Sequence, residues 1–225
     1  MPNFPKPLPE IQMTVDVIIF TVTAGQLNVL LIRRQSEPFA GTWALPGGYL
    51  QADEISEDSA IRVLRDKAGV REPFIEQLYT FDALDRDPRG RLVSIVYYAL
   101  VPEESLKINT RPDLQNPTLV PVTALPDLAF DHADMVEYAI TRLQSKLEYT
   151  NVVFSLLPPT FTFTELQRTY EAILERPLDK RNFQKKFASL GLIEATSEMT
   201  SGDKHRPARL YRFIDNKPTE LKKFF

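Results

Sequence analysis

The stretch Gly47–Val70, GGYLQADEISEDSAIRVLRDKAGV, constrains the architecture more than any other part of the chain. Two glycines are followed by a polar, acidic loop, and Ser56–Ala68 then reads as a helix. Glu57 and Asp58 fall in its first turn, where they suit the helix dipole, and Gly69 is placed to stop it. On a helical wheel Ile61, Leu64 and Ala68 form the expected core-facing stripe. Val63, Asp66 and Lys67, spaced i, i+3 and i+4, are then expected to share the opposite face and to line a pocket together.

The flanks are strand-rich. Val15–Val22 and Leu27–Arg34 are β-branched apolar runs separated by "TAGQ", a hairpin pattern, and Phe74–Leu84 and Arg91–Val101 are two further strands joined by "DRDPRGR". "FDHADMVEYAITRLQSKLE" predicts a second helix, with Asp131 or Asp134 as N-cap and Met135, Ala139 and Leu143 at helical spacing. The pattern changes at about Asn151. Thr162 with Glu165 forms a capping box ahead of one helix, "RPLD" breaks it, and a second helix runs from the N-cap Asp179 to just before Gly191. A strand "LIEATSE", a loop "MTSGDKHRP" and a strand "ARLYRF" complete the outline of a winged helix-turn-helix. We therefore divide the chain into an arm (1–12), a first domain (13–149) and a second domain (150–225).

Composition narrows the function classes. No apolar run approaches the ~20 residues that span a bilayer. "MPNFPKPLPE", with four prolines and no apolar segment, reads as a loose arm rather than a signal peptide. The absence of cysteine excludes disulfides, thiol ligands and cysteine nucleophiles, and fits a cytoplasmic location. The net charge of −3 conceals an asymmetry: residues 1–150 carry 14 basic and 21 acidic side chains, residues 151–225 carry 13 and 9. A basic C-terminal module suits phosphate backbones.

The stretch Gly48–Val70 resembles the Nudix hydrolase signature, Gx5Ex7REUxEExGU with U a bulky aliphatic residue. Gly48, Glu54, Arg62, Leu64, Gly69 and Val70 match in frame. At background usages of about 6–7% the four fixed matches have odds of ~10⁻⁵, which sets coincidence aside. In that family the helix glutamates hold divalent metal ions that offset charge and activate water. Here those positions are Val63, Asp66 and Lys67. An ammonium beside a metal position opposes the ion by several kcal/mol even at an effective dielectric of ~20, so metal binding of the usual kind is expected to fail. Lys67 is then either a direct neutraliser of a diphosphate or a side chain reaching solvent.

Other candidates surround this box. Arg33 and Arg34 end a strand, where a guanidinium fork can meet phosphate or simply be solvated. Trp43, just before "ALPGG", is a core or a base-stacking residue. Asp85, Arg86, Asp87 and Arg89 form a charged turn that either closes over a ligand or stands as a surface loop. His132 and His205 make no metal cluster. The candidate ligand set is Arg33, Arg34, Gly47, Gly48, Arg62, Asp66, Lys67 and Arg86, with no metal and no catalytic residue assigned.

In the helix after Asp179, Phe183, Phe187 and Leu190 fall on one stripe and are expected to be buried. The other side shows Arg181, Asn182, Gln184, Lys185, Ala188 and Ser189, residue types that read base edges or allow close approach. Lys180 and Lys186 flank it for phosphates. Lys204, His205, Arg206 and Arg209 add a second basic set in the wing.

A degenerate Nudix domain followed by a winged helix resembles the Nudix-related transcriptional regulators, a bacterial family that represses genes of NAD metabolism, with related members tied to pentose sugars. "DALDRDPRGRLVSIVYYALV" and "PLDKRNFQKKF" carry the likeness along with the box. The resemblance implies an α+β fold, a Nudix-type α/β/α sandwich with a mixed sheet joined to a winged helix-turn-helix. It implies a homodimer on double-stranded palindromic operator DNA, with ADP-ribose or a related sugar phosphate as effector rather than as cofactor. Of the box only Gly48, Glu54, Arg62, Asp66 and Gly69 carry over, and their catalytic meaning lapses with Val63 and Lys67. Two alternatives stand beside this reading: an active Nudix hydrolase drawing its ligands from Asp53, Glu54 and Asp66, and a nucleotide-binding scaffold whose winged helix contacts protein.

Overall fold

The computed structural model describes residues 10–70, 74–107, 117–200 and 207–221. β1 (Gln12–Thr23) and β2 (Gln26–Arg33) form a hairpin whose two-residue reversal, Ala24 (φ 51°) and Gly25 (φ 75°), takes the left-handed conformations that match strand twist. Short β3 (Trp43–Ala44) and β4 (Gly47–Tyr49) lead to α1 (Ser56–Ala68), which closes on Gly69 at φ 68°. β5 (Phe74–Phe81), β6 (Leu92–Leu100), β7 (Thr118–Pro121) and α2 (His132–Leu147) follow. The sheet order is β3-β2-β1-β6-β5, with β4 on the first half of β1 and β7 on β2. β1 and β6 pair in parallel from Gln12–Leu92 to Phe20–Leu100, and the sheet is therefore mixed.

β1 is buried on both faces, which is why it reads as an almost unbroken apolar run. Val15, Val17 and Ile19 meet α1 through Ala60, Val63, Leu64 and Ala68; Ile18 and Phe20 face the opposite layer of α2 and the second domain. The buried stripe of α1 is thus rotated from the expected one. Val63 is 3% exposed and belongs to the core, whereas Ile61 is half-buried. Both sets satisfy helical spacing around Leu64, and only contact with β1 selects between them.

In the second domain β8 (Phe161–Thr162) precedes α3 (Phe163–Leu174), with α4 (Lys180–Ala188), β9 (Ile193–Met199) and β10 (Arg209–Phe213) after it. The capping box forms: Glu165 N–H donates to Thr162 Oγ1 (3.2 Å) and Thr162 N–H to Glu165 Oε2 (2.6 Å). The turn between α3 and α4 is braced by Glu171, which accepts from Leu178 N–H (2.8 Å) and from Gln167 Nε2 (2.9 Å). Three strands in the order β8-β10-β9 make the wing sheet.

α3 packs on α2 and across β2. One apolar cluster consequently runs from the sheet through Leu143 and Leu147 into Leu166, Tyr170, Ile173, Phe183, Phe187 and Phe213. The C-terminal segment returns to the linker, where Asn151 accepts from Thr219 N–H (2.7 Å) and donates to Lys217 O (3.0 Å). The chain is an α+β protein, an α/β/α sandwich with a mixed sheet fused to a winged helix-turn-helix.

Candidate functional site

Between β1, the β3–β4 region, the turn after β5 and the start of α2 lies a cavity whose polar lining includes Asp16, Arg34, Arg86, Asp87, Arg89 and His132. Its floor is Asp16, a carboxylate in the middle of an apolar strand. Ser94 Oγ donates to Asp16 Oδ2 at 2.6 Å, and His132 Nε2 lies 3.9 Å from Oδ1. Leu45 N–H donates to His132 Nδ1 (3.0 Å), which fixes the neutral tautomer with its proton on Nε2, and burial holds this imidazole below its ordinary pKa. Gly47 makes room for the carboxylate: a Cβ there would overlap Asp16 Oδ1 and come within 2.8 Å of Val15 O.

Three guanidinium groups ring the cavity. Arg86 forms a bidentate pair with Asp131 (2.8 and 2.9 Å), and Arg89 another with Asp87 (2.6 and 2.9 Å). Burial pushes the Asp87 carboxyl up, but the Arg89 bonds and the nearby Arg86 outweigh it and hold the group below the usual range. Arg34 donates to Pro38 O (2.9 Å) and Ser36 O (3.2 Å) and lies 4.6 Å above the Phe130 ring. Partial burial and then the Arg89 charge lower its pKa, against the opposing pull of Asp87, Asp16 and Glu37. Phe130 (φ 56°) and Phe39 (φ 67°) are both left-handed and pack edge to face at 4.9 Å. Non-glycine residues hold that conformation at a cost of about 1–3 kcal/mol, and such outliers cluster at ligand sites. Guanidinium groups for phosphate, a buried carboxylate for hydroxyls and an aromatic wall together suit a sugar phosphate.

Of the residues expected to bind ligand, Arg34, Gly47, Gly48 and Arg86 line this cavity; Arg33, Arg62, Asp66 and Lys67 do not. Arg33 donates to Gly41 O (2.6 Å) and stacks 4.0 Å over Trp43, so both residues brace a loop. Arg62 reaches back to Glu54 (2.6 and 3.0 Å) and to Ser59 Oγ (3.0 Å), and Gln51 N–H donates to Glu54 (3.0 Å). The Arg62 hydrogen bonds hold the Glu54 carboxyl down at about pKa 2. Glu54 and Arg62 therefore serve architecture, tying the loop to the helix. Asp131 sits at the N-cap of α2, yet its side chain caps nothing because Arg86 takes the carboxylate. Asp16, Thr14, Tyr49, Phe130 and His132 went unassigned in the sequence. Only Asp16, a lone charge inside "VDVIIF", gave a signal there.

The residues present do not fit the metal centre of a Nudix hydrolase. Val63 is in the core, Asp66 is exposed beside Arg65 (3.2 Å), Lys67 is a cation and Glu54 is bound by Arg62. Among the described residues no group of three or more acidic or histidine side chains is arranged to hold an ion.

At the other end of the molecule, α4 buries Phe183 and Phe187 and exposes Lys180, Arg181, Asn182, Lys185 and Lys186, with Gln184 half-buried. Asp179 caps the helix by accepting from Asn182 N–H (2.8 Å). Arg209 is exposed at the start of β10; Lys204, His205 and Arg206 lie outside the described residues. This is a basic helix on a winged scaffold, the form that enters a major groove.

Residues 11–139 match the NUDIX domain family, and residues 153–213 match the NrtR DNA-binding winged helix domain. The chain is 40% identical over 214 residues to the ADPR responsive transcriptional repressor NtrR of Acinetobacter baylyi, covering 94% of this chain and 84% of the relative. It superimposes on the crystal structure of Shewanella oneidensis NrtR complexed with a 27mer DNA with a TM-score of 0.80 at 35% identity, covering 89% and 93% of the two chains. The NUDIX domain of the same Shewanella protein complexed with ADP ribose aligns at 38% identity and a TM-score of 0.55, covering 63% of this chain and 94% of that one.

Proposed function

The chain belongs to the Nudix-related transcriptional regulators of the NrtR type, and on that premise we propose that it is an ADP-ribose-responsive transcriptional repressor. The observation that carries the reading is the course of α2. Its N-terminal end, Phe130 to His132, forms part of the cavity, and its C-terminal half lies against the first helix of the winged domain. There Gln144 Nε2 donates to Ile173 O (2.9 Å), a carbonyl that the end of α3 leaves without an intrahelical partner.

ADP-ribose enters the cavity with its diphosphate toward Arg34 and Arg89 and ribose hydroxyls toward Asp16. Asp87 and Asp131 then share their arginines with the ligand. Asp131 and His132 open α2, so any movement they make is passed along a rigid helix to α3 and so to α4. Operator affinity changes by the difference in effector affinity between the two arrangements. Two copies are needed to read a palindrome, and the protein works in the cytoplasm, where the operator is. Diphosphate cleavage is not part of this function, since the helix that would carry the metal ligands buries one position in the core and places a cation at another.

The test is an operator-binding titration on the DNA upstream of its own operon, with and without ADP-ribose and over a range of salt. A change of about 5–150-fold in affinity is expected with effector, within the usual span of allosteric coupling. Binding is also expected to weaken steeply with salt. Affinity indifferent to ADP-ribose, or enzyme-like turnover of ADP-ribose with magnesium, would overturn the reading.

A further inference from the structure

Two buried groups of the cavity lining face each other with hydrogen-bonding capacity to spare. Asp16 is 8% and His132 4% exposed. Ser94 Oγ donates to Asp16 Oδ2, and among the described residues no hydrogen bond reaches Oδ1. His132 Nδ1 accepts from Leu45 N–H, and burial keeps the ring neutral, so its proton is on Nε2. Nε2 lies 3.9 Å from Asp16 Oδ1, too far for a direct hydrogen bond. Phe130 backs the imidazole with ring centroids 5.4 Å apart, and the Leu45 bond anchors its other nitrogen. The direction of the Nε2–H is thereby fixed.

The pair therefore presents one donor beside one acceptor. An oxygen at the usual distance of about 2.8 Å from each atom fits against both. The chemistry decides which oxygen. A phosphate oxygen accepts from Nε2–H but meets the Asp16 carboxylate as a like charge, and an ammonium suits Asp16 but sets its own hydrogens against the Nε2–H. A hydroxyl accepts from the imidazole and donates to the carboxylate, satisfying both. A site built to hydrogen-bond a hydroxyl rejects an analogue without it far more strongly than an apolar pocket rejects a missing methylene, because its buried polar groups are then left unpaired.

Resting on the reading of this cavity as the ADP-ribose site, we propose that His132 is a specificity-determining residue: its Nε2–H and the Asp16 carboxylate together hold one sugar hydroxyl of the effector. Leu45 lies between β3 and β4, and His132 is the first residue of α2. One ligand hydroxyl then joins β1, the β3–β4 segment and the helix that leads to the winged domain. The diphosphate supplies charge for the arginines, and the hydroxyl tells the effector from nucleotides of similar charge.

Calorimetric titration of the full chain with three probes provides the test: ADP-ribose; ADP, which lacks the terminal ribose; and 2′-deoxy-ADP-ribose, which lacks one hydroxyl of the adenosine ribose. The wild type is expected to bind at least one analogue roughly tenfold or more weakly than ADP-ribose. His132→Asn keeps an acceptor for Leu45 N–H but has no donor in place of Nε2–H, and it is expected to lose that preference. The analogue whose penalty disappears identifies the ribose that is held. His132→Gln, long enough to present a donor, is expected to keep part of the preference. A second readout uses the wild type alone. The chain has two histidines, so heteronuclear imidazole spectra report His132 directly, and its Nε2 proton is expected to move downfield on saturation with ADP-ribose. Equal affinity for the three probes, wild-type preference in His132→Asn, or an Nε2 proton indifferent to ADP-ribose each overturns the proposal. Operator binding measured alongside separates the two readings. Failure of the repressor reading gives a protein that discriminates among the nucleotides while its operator affinity ignores them; failure of this inference gives an operator response that His132→Asn leaves at the same ADP-ribose concentration.

Discussion

Asp16 and Gly47 show how one residue's absence makes room for another's chemistry. A methyl group at position 47 must displace the Asp16 carboxylate and with it the Ser94 hydrogen bond. Gly47→Ala is expected to cost about 1–3 kcal/mol of stability, as overpacking does, and to weaken ADP-ribose binding at least roughly tenfold in calorimetry while leaving effector-free operator binding intact. Glu54 makes a prediction of a different kind. Its carboxyl is held at about 2 against an ordinary 4.5, so the stabilisation it confers is complete above the ordinary value and is lost as pH falls toward 2. In urea melts, Glu54→Gln should be less stable than wild type at pH 7, with the gap closing between pH 4.5 and 2. Buried His132 acts in the same direction at higher pH. Its folded pKa is depressed, so the unfolded chain takes up the proton first and stability declines as pH falls below the ordinary histidine value.

α4 and α2 carry the function at the level of elements. The buried and exposed sides of α4 were legible in its spacing, since Phe183 and Phe187 recur one turn apart and the basic residues occupy the rest of the surface. Arg181→Ala is expected to cost roughly 1–3 kcal/mol of operator affinity and to relax preference at one base step, as measured on a panel of operator variants. α2 was legible as a helix but not as a link. Gln144 looks like any polar residue in the sequence until Ile173 O is found 2.9 Å away. Gln144→Ala is expected to leave both ADP-ribose and operator affinity close to wild type, but to reduce the effect of one on the other by about 0.5–2 kcal/mol. Titrating operator binding at zero and saturating ADP-ribose checks it. The expected stripe of α1 was rotated because Ile61 and Val63 lie on opposite sides of Leu64 around the helix, and periodicity cannot say which side meets a sheet.

The whole molecule departs most from a reading as two tethered domains. The core continues from the sheet through α2 into the winged helix, and the C-terminal segment clasps the linker at Asn151. Thermal unfolding is expected to show one calorimetric transition with equal van't Hoff and calorimetric enthalpies; two resolved transitions would mean that the shared cluster does not unify the halves. The sequence alone determined the order of elements, their caps and the frame of the glycine-to-helix stretch, because these depend on local spacing and backbone conformation. Tertiary structure decided which charges meet. Arg62 turns back along its own helix to Glu54 in the preceding loop, whereas Arg86 finds Asp131 and Asp16 faces His132 from distant positions brought together by the crossing of strands and helices. Whether a charged residue binds ligand or braces a loop depends on the neighbour the fold supplies.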